Sequence, residues 1–195
     1  VTSMQEEEDI LRKKFDQARR AADDARHALE SSKSRGEVLS SLIRQAELGL
    51  LTGFHGRLGS LGTIDPRYDI AISTACPGLN NLVVEDVTTG QQCIEHLRKH
   101  KLGRANFILL KSLQVNPKSM APIATPENAP RLFDLVTPKD ARFVPAFYHQ
   151  LGDTLVARDL AQANRIAYGA KRWRVVTQDG QLIDKSGTMS GGGSR

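Results

Sequence analysis

The chain has 195 residues, 39% of them hydrophobic and 25% charged, with a formal net charge of +5 and an aromatic fraction of 5%. This describes an ordinary soluble protein, long enough for one large domain or two small ones around a buried core, and no apolar run approaches the length of a membrane-spanning helix. The basic excess is local: residues 1–50 carry 9 Lys+Arg against 10 Asp+Glu and the rest of the chain 18 against 12, which suits a nucleic-acid surface without requiring one. Two cysteines, Cys76 and Cys93, are too few for a disulfide framework and fit a reducing compartment. The opening "VTSMQEEEDI" is acidic where a signal peptide would be basic, so the cytosol or nucleus is expected. A start at Val1 and an ending in "GGGSR" read as an excised fragment, the ending being either native or a linker scar.

Leu11, Phe15, Ala18, Ala22, Ala25 and Leu29 are spaced alternately four and three apart, a narrow apolar seam that predicts a coiled-coil helix wanting a second helix. An amphipathic helix packed on the chain's own domain is the alternative. "SSKSRG" at 31–36 breaks the pattern, and a second helix is expected over Val38, Leu39, Leu42, Ile43 and Ala46, stopping at Gly49. "GFHGRLGSLG" follows at 53–62 with four glycines at an interval of three, which predicts a close contact or a tight backbone path. Asp65-Pro66 gives a turn, and the apolar stretch after it has no assignable geometry. "LVVEDV" from residue 82 reads as a strand, the next segment as a helix with a capping box at Thr88 and Gln91 that closes at Gly103, and "ANFILL" as a second strand, together an α/β crossover. Prolines 117, 122, 126 and 130 mark a junction. Alternating extended and helical signals then end in a hairpin turned by Asp179-Gly180. The fold class expected is α/β (α+β), built from two small units.

Several chemistries fail on context. Glycines that cradle phosphate follow a strand and open a helix, whereas these follow a helix and lead into "TIDP"; "GQLIDKS" lacks the glycine that a P-loop needs immediately before its lysine. Cys93, His96 and His100 share a helical face, but zinc wants a fourth ligand, and a core cysteine beside two surface histidines is the better reading. No nucleophile elbow is present. Two basic clusters remain. Arg98, Lys99, His100, Lys101 and Arg104 sit where cations favour a helix C-terminus. Lys171, Arg172 and Arg174 surround Trp173, the single tryptophan, as in a site that stacks single-stranded bases, although strand alternation would bury the ring instead. Finally "SGTMSGGG", if native, lets one backbone lie flat against another chain's strand edge.

The pairing of "GRLGSLG" with a terminal "SGTMSGGG", together with "YDIAISTACPGL" and the preceding heptad stub, resembles the hinge domain of structural-maintenance-of-chromosomes (SMC) proteins over residues 50–193. Within that family it is most similar to the larger SMC subunit of eukaryotic condensin, with cohesin's SMC subunits next. The resemblance implies a coiled-coil segment at 1–49, hinge subdomains at 50–115 and 132–195, and a proline-rich junction at 116–131. It implies half of a ring-like dimer, a returning coiled-coil strand after Arg195, and a native "GGGSR". Gly56, Gly59, Gly62, Gly187, Gly191, Gly192 and Gly193 become the candidate dimer contacts, the first group within the fold and the second across the interface. Lys171, Arg172, Trp173, Arg174, Lys99, Lys101 and Arg104 become candidate DNA contacts, with single strands preferred. The implied partners are the hinge of the other condensin SMC subunit, DNA, and the chain's own second coil, with no membrane. No catalytic residue, metal or cofactor is expected here, ATP and magnesium belonging to head domains elsewhere in such proteins. The implied location is the nucleus and chromosome, with part of the cell cycle in the cytoplasm. A nucleotide-dependent enzyme and a stand-alone nucleic-acid-binding module are the competing readings.

Overall fold

The structure is a computed structural model that describes residues 2–191. Its first element, α1 (Thr2–Glu47), is one helix of 46 residues, so the break expected at 31–36 does not occur. Ser and Gly cost a helix interior at most about 1 kcal/mol each, and starting a new helix costs more than continuing an existing one. The end is as the sequence predicts. Gly49 takes φ +74°, its N–H donates to Ala46 O and the Leu50 N–H to Gln45 O, the paired bonds of a Schellman cap. Val38 and Leu42 are buried, while Leu11, Phe15 and Leu29 of the heptad seam are exposed.

The chain continues through β1 (Phe54–Arg57) and β2 (Gly62–Thr63). The Asp65 carboxylate then accepts the Arg67 N–H and opens a single turn that leads into α2 (Asp69–Ala75), the stretch left unassigned above. The expected crossover follows as β3 (Leu82–Val84), α3 (Val87–Lys99) and β4 (Phe107–Leu109). Its helix is capped two residues earlier than predicted: the Asp86 side chain, not Thr88, accepts the Thr89 N–H at 2.9 Å, and a charged acceptor there also suits the helix dipole. The proline-rich stretch contains α4 (Pro117–Met120). Beyond it come α5 (Leu132–Leu135), β5 (Thr137–Pro138), α6 (Val144–Leu151), β6 (Leu155–Ala157), α7 (Leu160–Ala167), β7 (Val175–Thr177), β8 (Leu182–Ile183) and β9 (Met189–Ser190).

Three sheets result, ordered β1-β3-β4, β2-β5 and β6-β7-β8-β9. The parallel pairs, β3 with β4 and β6 with β7, are those joined through a helix, as parallel connections require. Alternation along the strands then distributes the core. Val83 faces a central cluster with Leu58, Ile72, Leu132, Phe147, Val156 and Val176. Its neighbours Leu82 and Val84 face Val38, Leu42, Cys93 and Leu97. Leu155, Ala157, Val175 and Ile183 face Ala163, Ile166 and Trp173. Both larger sheets are therefore covered on two faces, which explains why β3, β6 and β7 are buried along their whole length.

One polar residue joins these parts. The Arg131 side chain is fully buried. Its guanidinium donates to both carboxylate oxygens of Asp134 at 2.8 and 3.0 Å, to Asp153 at 2.9 Å, and to the backbone carbonyls of Ser119 and Ala121 at 3.0 Å each. Arg131→Ala orphans those carbonyls, whereas its carboxylate partners keep some water, so we expect a loss of about 3 kcal/mol. Arg131→Lys keeps the charge without the fork and falls between. Urea unfolding midpoints measure both.

Candidate functional site

The two glycine groups serve different purposes. Gly62 lies in β2 opposite Pro138 of β5, and a Cβ there would stand 2.7 Å from Phe147 Cζ and 3.0 Å from Val136 Cγ1. Gly59 leaves room for the Arg57 guanidinium, which donates to Asn80 Oδ1 at 2.8 Å. Gly56 sits at φ +104° where the β1–β3 register shifts, with open space around it. The expectation that this group serves contacts within the fold therefore gains a physical content: what approaches Gly59 and Gly62 is mostly side chain, with the Leu79 carbonyl 3.3 Å from a Cβ built at Gly59.

In the second group, Gly187 (φ +92°) is a turn residue. Its N–H donates to Asp184 O and the Asp184 N–H to Thr188 O, which folds β9 back on β8 as a hairpin with a left-handed glycine. Gly191 is exposed, and a Cβ there would touch Gln181 Cγ at a yielding 3.3 Å. Gly192 and Gly193 lie outside the described residues. Among the described residues β9 pairs with β8 alone and ends the four-stranded sheet. Met189 on it is 53% exposed. The outer backbone N–H and C=O groups of an edge strand are a template for another strand, and an exposed apolar side chain there favours burial against it.

The basic residues divide sharply. Lys99, Lys101 and Arg104 are exposed after α3, and so are Lys171 and Arg172. Trp173 is 5% exposed, packed in the core with Val175 and Ile183, so the stacking role expected of it is withdrawn: its faces are not open to a base. Lys171 Nζ lies 4.2 Å above that ring, covering it. Arg174 is also withdrawn. It donates to Ala75 O at 2.9 Å and Thr154 Oγ1 at 3.0 Å and sits 3.7 Å from Asp184, tying α2 to β6 and to the β8–β9 hairpin.

Cys93 is fully buried, and burial pushes its thiol up to about 11. His96 is hydrogen-bonded to Ser41 of α1 at 2.8 Å, with its pKa lowered by burial and by the nearby His100 and Lys99. Among the described residues no group of three or more His, Cys, Asp or Glu side chains could hold a metal ion, and no helix is long and apolar enough to cross a membrane.

The sequence family of the flexible hinge domain of SMC proteins matches residues 51–167. This chain belongs to the SMC hinge family. The structural maintenance of chromosomes protein 4 of Schizosaccharomyces pombe is 62% identical over 168 residues, 86% of this chain and 12% of that protein; the human protein of the same name is 48% identical over 174 residues, 89% and 14%. This hinge thus spans a small fraction of the length of the curated relatives it matches. Among solved structures, an asymmetric dimer of the Geobacillus stearothermophilus SMC hinge domain aligns with a TM-score of 0.66 and 29% identity, over 82% of this chain and 66% of that one. Those hinges share the mixed α/β fold described above.

Two features of this hinge escaped the sequence. The stretch "SGTMSGGG" reads as a backbone that meets another chain's strand edge; its pairing with β8 as β9, around Met189 set between polar residues, does not show in it. Tyr168, 52% exposed, follows a helix that buries Ala163, Ile166 and Ala167. For the glycines, Gly62→Val is expected to cost about 1–3 kcal/mol by overpacking against Phe147, and Gly191→Val to stay within about 0.5 kcal/mol as an exposed change. Thermal melts of the two variants check both.

Proposed function

We propose that this chain is the hinge of the larger SMC subunit of a condensin complex and docks through β9 onto the hinge of the other condensin SMC subunit. The observation that carries this reading is the open edge of β9, with exposed Met189 and a glycine-rich continuation that keeps side chains out of an approaching strand. The identity to SMC4 proteins and the dimer formed by the bacterial hinge favour it. The exposed seam of Leu11, Phe15 and Leu29 on α1 favours a second coiled-coil strand alongside it. The hinge is a structural joint with no chemistry of its own, the ATP-hydrolysing heads lying elsewhere in the whole protein. It acts on chromosomes, in the nucleus and for part of the cell cycle in the cytoplasm. Its exposed cations, Lys171 and Arg172 in one cluster and Lys99, Lys101 and Arg104 in the other, bind DNA by neutralising phosphates.

Docking is tested with the double variant Met189→Glu and Gly191→Leu. Light scattering should show that the wild-type chain forms a one-to-one complex with the partner hinge and that the variant stays apart from it, with unchanged circular dichroism. A complex that persists in the variant rejects the β9 interface.

DNA binding is tested by fluorescence anisotropy over a range of salt. Lys171→Glu with Arg172→Glu should weaken single-stranded binding and reduce the slope of log affinity against log salt by about 1.4, two phosphate contacts' worth. An unchanged slope takes that cluster out of the DNA path; the triple reversal of Lys99, Lys101 and Arg104 tests the other in the same way.

A further inference from the structure

We infer that Tyr168 is the ring on which this hinge stacks an unpaired base of single-stranded nucleic acid, an assignment that rests on the DNA-binding reading above. The ring is placed outward by the helix before it. α7 buries Ala163, Ile166 and Ala167 against its sheet, and one residue further on, at the helix cap, the side chain points away from that face. Tyr168 is 52% exposed.

The cations stand beside it. The Arg172 guanidinium lies over the Tyr168 ring, 5.6 Å from its centroid, as a cation–π contact that an incoming base would share or displace, and Lys171, on the same loop, sits over the buried Trp173. Two carboxylates of this part of the chain are paired with arginines of α7 and of the same loop, Glu127 with Arg165 at 3.0 Å and Asp184 with Arg174 at 3.7 Å, so each opposes an incoming phosphate less than a free carboxylate would. An exposed aromatic flanked by open cations offers a strand what it needs at one step: a π-face for the base and positive charge for the phosphate. A duplex presents only its phosphates here, since its bases are stacked on one another. The geometry thus separates the two forms of DNA through one residue, with Lys171 and Arg172 serving both and Tyr168 serving the single strand.

The test uses the whole chain with a labelled oligothymidylate and with a duplex of the same length. Tyr168→Ala should weaken oligothymidylate binding by about five- to a hundredfold and leave duplex binding and the melting temperature unchanged. Tyr168→Phe, which keeps the ring, should bind like wild type. If the wild-type chain binds neither DNA, the DNA reading itself falls and this inference with it. If wild type binds the single strand and Tyr168→Ala matches it, the stacking assignment alone is overturned. Loss of the partner hinge in Tyr168→Ala, with single-strand affinity intact, likewise overturns it and makes the ring a protein contact.

Discussion

The fold depends on one buried cation. Arg131 closes the proline-rich stretch, and its guanidinium gathers the carbonyls of Ser119 and Ala121 from that stretch, Asp134 just after it, and Asp153 just before β6. A stretch with four prolines and few large apolar residues cannot hold itself by hydrophobic burial, and its backbone carbonyls need donors. A single arginine supplies them because its planar fork presents five N–H groups in fixed directions. What the composition marks as a junction is thereby fixed in place, and β6 starts from a defined position.

From that anchor the double coverage of the sheets follows. The central cluster draws Leu58, Ile72, Val83 and Ile108 from the first half and Leu132, Phe147, Val156 and Val176 from the second, so neither half has a complete core alone. Arg174 reinforces this across the same boundary through Ala75 O. The exposed edge of β9 and the loop carrying Tyr168 both belong to the sheet and helix held in this way, so their surfaces stand on a stiff base, which a recognition surface needs.

How much of this was legible depended on whether the signal was local. The heptad helix, the first crossover and the Gly49 stop rest on periodicity and capping, which act over a few residues, and these could be read. The false break at 31–36 came from treating Ser and Gly as stops when they only lower propensity. Trp173 could not be resolved because "KRWR" fits a stacking site and an alternating strand equally; the decision came from the ring's burial in one cluster with Val175 and Ile183, a fact of tertiary structure. The glycine ladder misled in a different way. Its interval of three looks like one device, yet Gly56 serves a register shift, Gly59 makes room for Arg57 and Gly62 makes room for Phe147. The pattern was legible and its causes were not, since each depends on a residue distant in sequence or on the backbone path.

The topology also bears on why such a chain would close with one partner and not polymerise. β9 is one end of its sheet, and β4 is one end of another whose order is β1-β3-β4, so the chain carries terminal strands on separate sheets. Pairing one edge of each chain with the other edge of its neighbour is a head-to-tail contact, which yields an open fibre unless the rotation closes. With two chains, closure needs the two edges to lie on one side of the molecule, and the shared central core holds their sheets in a fixed relation that can satisfy this. A flexible junction between the halves would forfeit that relation. On this argument the buried Arg131 network matters for assembly as well as for stability: loosening it should broaden the range of oligomers formed before it unfolds the chain.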